Sequence, residues 1–522
     1  MDTAYVGSPV ARASQPTRTE PLAAGDFMLV PHGYGTDAST QVWVGSHNVQ
    51  VLDRLWLRCE PVPAADGAMA PAYESSCRDI PLRLDRQAEG LNFAFLSIPT
   101  VPGCRYRLTL WQWDRGEAVV RARAECRGKP DGLRNRFNLW YGTCFYRHGD
   151  NGALAEAFSG LPEDYRPDVS FLGGDQVYLD TAFSNRGFVF TPGFSTANFS
   201  PLALRPAASI RQRLNRIFTR EYQANWGGGL RELLSYGNHY FLAGDHEFWN
   251  DYPNPPGFLP ALWSGKVRRI WAECARTLFN AYQLPHGNAA CAFEVGEDLS
   301  FFVLDTRLQR GRGTDGQFTD PATLRRLEDW LTGLTGPGVL VLPAPILTPW
   351  QFRGAGIGRA LMVKLGFGDH SLADTGQYEA LVRALNACPQ DVLIMAGDVH
   401  FSRLARFELN GKQVVEVVSS PLSCLPSAAA VADQRPNVFP DRPADGIRAE
   451  VEYLKAGTTR AHKRAEISNN NFVTLSFTRA DAGVRVEVVC WNISARNERG
   501  EPVVDWDSRE LLLRAHNNEK SS

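Results

Sequence analysis

Between residues 137 and 400, short apolar runs stop repeatedly on polar, mostly acidic side chains, several of them just after a glycine. "FNLWYG" leads to Thr143-Cys144, "DVSFLGG" to Asp175-Gln176-Val177-Tyr178 and "HYFLAG" to Asp245-His246-Glu247. "LSFFVL" leads to Asp305-Thr306-Arg307 and "DVLIMAG" to Asp398-Val399-His400. Short runs of this kind, apolar throughout, read as strands buried on both faces. They alternate with stretches of helical period over 209–226, 266–283, 321–334 and 375–387. That alternation predicts a layered α/β domain. Ligand-binding groups in such folds sit at the carboxyl ends of strands, so these ends are expected to meet.

A single Gly-Asp signifies no more than a turn, where both residues are favoured for local backbone reasons. Several turns of that kind would each be free to use Asn, Ser or Lys. Instead the strand ends supply three acids in Gly-Asp pairs, two histidines, a tyrosine and a cysteine. That mixture is a metal-ligand inventory. Asp175 and Tyr178 are three residues apart, which lets one tight turn aim both at one ion. A carboxylate can bridge two metals and an imidazole nitrogen cannot, so Asp175 is the natural bridging ligand. Asp398 and His400, at i and i+2, point to one side of an extended segment and could serve two adjacent ions.

Residues 1–26 are rich in Ala, Pro, Ser and Thr and predict a disordered leader. Over 27–130, "TQVWVG", "LDRLWLRCE", "LNFAFLSIP" and "RYRLTLWQWD" predict a β-sandwich domain. The α/β domain is expected over 137–522, with strands at "KQVVEVVSS", "NFVTLSF" and "VRVEVVCWN", and with about 425–467 as a long surface insertion. The net charge of −2 advertises neither a nucleic-acid footprint nor a polybasic membrane patch. No stable nucleic-acid complex is expected. No apolar signal core opens the chain and no run of about 18 apolar residues follows, so neither export nor a membrane span is expected. Ten cysteines without CxxC pairs are expected as reduced thiols, and the location as cytoplasmic.

"GGDQVY", "AGDHE" and "AGDVH", in this order, resemble the motifs of the metallophosphoesterase superfamily. Tyr178 in place of a second acid is similar to the iron-tyrosinate branch shared with purple acid phosphatases. Cys144 at the first strand end, with "LDTR" and "GDVH", resembles the PhoD-like alkaline phosphatase family. The resemblance implies an N-terminal β-sandwich, a four-layer αββα core, and hydrolysis of phosphomonoesters or phosphodiesters at Fe³⁺ paired with a divalent metal. It sets Cys144, Asp175, Tyr178 and His400 on Fe³⁺. It sets Asp175, Asp245 and Asp398 on the second ion, expected to be Ca²⁺, with Mg²⁺ or Mn²⁺ as alternatives.

His246 would stand beside the phosphate as a catalytic group, and Arg307 near the pocket. Thiolate and phenolate suit Fe³⁺, and an all-oxygen site suits Ca²⁺. Two such ions, about 3.5–4 Å apart, would clamp the phosphoryl oxygens and generate a hydroxide for in-line attack. The substrate would be a small-molecule, lipid or nucleotide phosphate ester. Family members are often exported, which this N-terminus does not suggest.

The chain departs from the family pattern in four respects. Asp245 replaces an asparagine, Asp180 stands where the motif is richer in acids, Pro343 and Pro345 follow the strand "GVLVL" without a histidine, and a long segment follows residue 425. Arg307 could equally pair with Asp305. His148 is expected near the surface, His239 at the far end of a strand, and His370 before a helix. Asp251 and Asn254 are candidate extra Ca²⁺ ligands, and "EFWNDYPNPPGF" a pocket wall or a packed loop. Two other readings stand beside hydrolysis of simple esters: an inactive scaffold that binds through its sandwich, and nuclease or phospholipase D-like cleavage at the same metals.

Overall fold

The computed structural model describes residues 27–516, apart from 36–37, 48–53, 63–77, 115, 182–201, 256–258, 313–315, 351–370, 424–434 and 463–464. The expected leader over 1–26 and His370 lie outside the described residues.

The N-terminal region is all-β. Its strands are β1 (Phe27–Tyr34), β2 (Ser39–Ser46), β3 (Leu55–Pro61), β4 (Arg78–Leu82), β5 (Arg86–Ala88), β6 (Leu91–Pro99), β7 (Arg105–Asp114) and β8 (Glu117–Arg127). Strands β1-β2-β6-β5 pack against a sheet ordered β4-β3-β7-β8. Between them lie Phe27, Val42, Leu57, Leu108 and Ala124, the inward residues of alternating strands. This sandwich shares a sheet with the rest of the chain, because β1 runs parallel to a core strand with His32 beside His239.

The core opens with β9 (Phe137–Gly142), β10 (Val169–Leu172) and β11 (Asn238–Phe241), three adjacent parallel strands. Next come β12 (Ala290–Val295), β13 (Leu299–Leu304), β14 (Gly338–Val341), β15 (Val392–Ala396), β16 (Arg403–Leu409) and β17 (Lys412–Val418). Here β13, β14, β15 and β17 are parallel neighbours in the second sheet. The chain continues through β18 (Val438–Ala444), β19 (Ile447–Glu450), β20 (Glu452–Ala456), β21 (Thr459–His462) and β22 (Ala465–Ser468). It closes with β23 (Asn471–Ala480), β24 (Gly483–Arg496) and β25 (Pro502–Arg514). The first sheet is ordered β25-β24-β23-β9-β10-β11-β1-β2-β6-β5, the second β12-β13-β14-β15-β17-β16-β20.

Strand period places the layers. In β9 and β15 every residue is buried, and alternate residues serve different cores. Phe137, Leu139, Tyr141, Leu393 and Met395 point between the two sheets. Trp140 faces the helices Ala153–Ser159, Ala207–Ala224 and Gly265–Tyr282, through Phe158, Leu214 and Trp271. Ile394 faces the helices Pro321–Thr332 and Tyr378–Ala387, through Leu331 and Leu385. The result is an αββα core. The stretch expected as a surface insertion is, in its described residues, partly built into this core: β20 pairs with β16 and forms an edge of the second sheet. Its short strands were masked in the sequence by prolines and arginines. No helix among the described residues is long and apolar enough to cross a membrane.

Candidate metal centre

The carboxyl ends of β9, β10 and β11 in one sheet meet those of β13 and β15 in the other. Two glycines permit the approach. A Cβ on Gly244 would lie 2.1 Å from Asp175 Oδ1, and one on Gly397 would lie 2.2 Å from Thr143 Cγ2. Without those atoms the loops interlock: the Asp398 N–H donates to Thr143 Oγ1 at 3.1 Å. The turns are sharp enough to drive non-glycine residues into the left-handed region. Cys144 (φ 62°), Asp175 (59°), Asp398 (65°) and His400 (58°) all sit there. Each such conformation costs about 1–3 kcal/mol and persists only where surrounding contacts enforce it.

One enforcing contact is Glu247. Its buried carboxylate accepts the N–H groups of Asp175 (2.8 Å), Gln176 (2.6 Å), Val177 (3.2 Å) and Gly244 (2.8 Å). Another is Asp305, which accepts from Ala243 N at 2.6 Å and from its own loop at Arg307 N and Leu308 N. Asp305 therefore pins the end of one sheet to the other. The Arg307 guanidinium meets Asp398 Oδ2 at 2.8 Å and the Tyr252 carbonyl at 3.1 Å.

Two groups of donors result, each with its ligand atoms within 4.8 Å of one another: Cys144, Asp175 and Asp398, and Asp175, Asp245 and His246. Asp175 belongs to both. The resemblance put Asp398 with Asp245, whereas in the structure it stands with Cys144. Tyr178 enters through its hydroxyl, which donates to Asp175 Oδ2 at 3.4 Å. Among the described residues His400 is in neither group. Its backbone N–H donates to Ser420 Oγ at 3.1 Å, and that hydroxyl donates to Cys144 Sγ at 3.3 Å.

His246 is held on every side. Its Nδ1 lies 2.9 Å and 3.0 Å from the two Asp180 oxygens, its ring stacks 4.2 Å from Tyr178, and its N–H donates to Asp175 Oδ1. Asp180 and Glu247 were both visible in the sequence, five residues after one Gly-Asp acid and two after the other. Their partners could not be read there. His148 is exposed beside Tyr146, as expected, and His239 is buried in β11. Asp251 donates its N–H to Asp245 Oδ2 at 2.6 Å, and the Asn254 carbonyl accepts from Trp249 Nε1.

The electrostatics suit cations. Burial pushes the Asp175 carboxyl up to about 7, with Asp245 and Glu247 adding to the rise against His246. Burial, then Asp175 and Asp398, raise the Cys144 thiol well above its usual value. Burial alone would lower His246, but Asp180, Asp245 and Asp175 lift it well above the ordinary histidine range. A buried cluster this rich in acids is costly to ionise without a nearby positive charge. Its thiolate, phenolate, carboxylate and imidazole donors are those a pair of metal ions would use.

No protein-family model matches the chain, and no curated protein matches it. Among solved structures the chain is similar to PhoD, at 13% identity and a TM-score of 0.50, over 95% of this chain and 94% of that one. It is also similar to the purple acid phosphatase PPD1 from yellow lupin (Lupinus luteus) seeds, at 12% identity and a TM-score of 0.49, over 92% and 74%. The first likeness bears on the fold. The chain shares the fold of PhoD, an αββα core behind an N-terminal β-sandwich.

Proposed function

We propose that this chain is a metal-dependent phosphoesterase that cleaves phosphomonoesters or phosphodiesters at a two-metal site. The observation behind the reading is Asp175, a buried carboxylate common to two donor groups where the two sheets meet. Cys144, Tyr178 and His400 would join Asp175 around Fe³⁺. Asp245 would join it around a divalent ion, with Ca²⁺ favoured by oxygen donors, and Asp398, which stands beside Cys144, would complete that oxygen set as the resemblance implies. Bound there, the ions would offset the charge of a phosphate and make water a better nucleophile.

The remaining chemistry belongs to the chain. Asp180 fixes Nδ1 of His246, so the proton a leaving oxygen receives comes from Nε2. The surrounding carboxylates raise the ring's pKa well above the ordinary histidine range, and nearby metal ions would oppose that rise. Arg307, at the edge of the cluster, can bind a phosphate oxygen with the N–H groups it now directs at Asp398.

The test is metal content of the untagged, as-purified protein, with hydrolysis of a panel of monoesters and diesters by the wild type and D175N. Near-stoichiometric iron with a second divalent metal, and turnover abolished in D175N, is the expected result. A protein that holds no metal and takes none up on reconstitution overturns the proposal and favours a binding scaffold.

A further inference from the structure

The whole-chain charge of −2 conceals a strongly basic surface. Residues 203–220 contain Arg205, Arg211, Arg213, Arg216 and Arg220 and no acid. Residues 259–272 contain Lys266, Arg268 and Arg269 and no acid. The fold brings the starts of these segments together, since Lys266 Nζ donates to the Arg205 carbonyl at 2.7 Å. Burial, then the charge of Arg312, lowers the pKa of Arg268. Glu273, the next acid along, is taken up by Arg211 at 2.5 Å.

Two large apolar side chains rise out of this basic ground. Leu204 is 86% exposed and Trp263 57% exposed. Each ends a short 3-10 turn, Leu202–Leu204 or Pro260–Trp263. The turns are anchored: Leu202, Ala261 and Leu262 are buried, and Arg268 Nη1 donates to the carbonyls of Leu262 and Trp263. Their outer residues are therefore presented to solvent by an ordered scaffold. Exposed leucine and tryptophan ringed by cations match an anionic bilayer surface, where indole favours the interface, leucine the acyl boundary, and Lys and Arg the phosphate headgroups. A nucleic acid would use the cations but leave Leu204 in water.

We infer that Leu204 and Trp263, with Arg205, Lys266, Arg268 and Arg269, form a docking surface for anionic lipid bilayers. The helix Gly265–Tyr282 that bears three of these cations also donates from Trp271 Nε1 to the Phe248 carbonyl, two residues past His246. A docked molecule would thus hold the candidate site close to phosphate esters of the membrane.

The experiment is co-sedimentation of the full chain with vesicles of phosphatidylglycerol and phosphatidylcholine, against phosphatidylcholine alone, at about 0.15 M salt. The variants are L204S/W263S and R205Q/R269Q. The expected result is binding to the anionic vesicles only, weakened about tenfold or more in each double variant, with unchanged thermal midpoint. Absence of binding by the wild type overturns the inference. So does undiminished binding by L204S/W263S, or binding to single-stranded DNA without binding to vesicles. The readout needs no turnover, so it fails or succeeds independently of the proposed hydrolysis.

Discussion

Asp175 and His246 divide the work at the scale of single residues. Asp175 is the shared carboxylate, and its replacement by Asn keeps the shape while removing the charge. D175N is expected to lose both metals, so metal analysis of the purified variant should read near zero where the wild type is loaded. Asp180 acts through His246, to which it offers two oxygens at 2.9 Å and 3.0 Å. D180N should leave metal content intact while lowering kcat by about 10²–10⁴-fold, the usual worth of a positioned acid. A D180N protein that has also lost its metals would show that Asp180 holds the site together and does not merely orient the ring. The sequence disclosed the acid and histidine at each strand end. It left open whether Asp180 had a role, because the turn that swings it under His246 is set by contacts with the loop after β11.

The elements behave as two interlocked loops, and Glu247 is their clasp. Its carboxylate satisfies four N–H groups that would otherwise be buried and unpaired. Hydrogen bonds to a charged group are worth about 1.5–3 kcal/mol, and an amide at this position presents a donor to donors. E247Q should therefore lower the unfolding free energy by about 2–4 kcal/mol in urea titration. An unchanged midpoint would mean the loop holds its left-handed residues without help. Gly397 makes a parallel case: G397A places a methyl group against Thr143, 2.2 Å from its Cγ2, and should weaken metal binding by pushing the Asp398 loop off its partner. The sequence showed these glycines as turn residues. Their real constraint is close approach between segments distant in the chain, Gly397 to Thr143 and Gly244 to Asp175, which no local pattern encodes.

Histidines buried at the seam between sandwich and core link the whole molecule to pH. His32 on β1 lies in register with His239 on β11, and both rings are buried. Burial lowers His239 to about 3, and burial with the charges of His286 and His239 holds His32 well below the usual range. Both stay neutral in the fold, whereas the unfolded chain protonates them near pH 6.5. The unfolded state gains protons first, so stability is full above about pH 6.5 and falls as pH drops from there toward about 3. Denaturation midpoints measured from pH 7 to pH 4.5 should decline, and H239Q should decline less steeply. Metal bound only to the folded chain adds a second linkage: chelation should lower the thermal midpoint of the wild type and leave D175N unmoved.

By itself the sequence determined a layered α/β core, the sandwich in front of it, and the strand ends that bear Cys144, Asp175, Asp245 and Asp398; the four-layer αββα arrangement came from the resemblance. Period-2 burial and strand-to-loop transitions are local, and they survive in the one-dimensional order of residues. Only the tertiary structure decided that Asp398 stands with Cys144, that Arg307 binds Asp398, that β20 edges a sheet, and that a near-neutral chain gathers its cations beside Leu204 and Trp263. Each of these depends on which distant segments are pressed together, and close packing fixes that choice through atoms that are far apart along the chain.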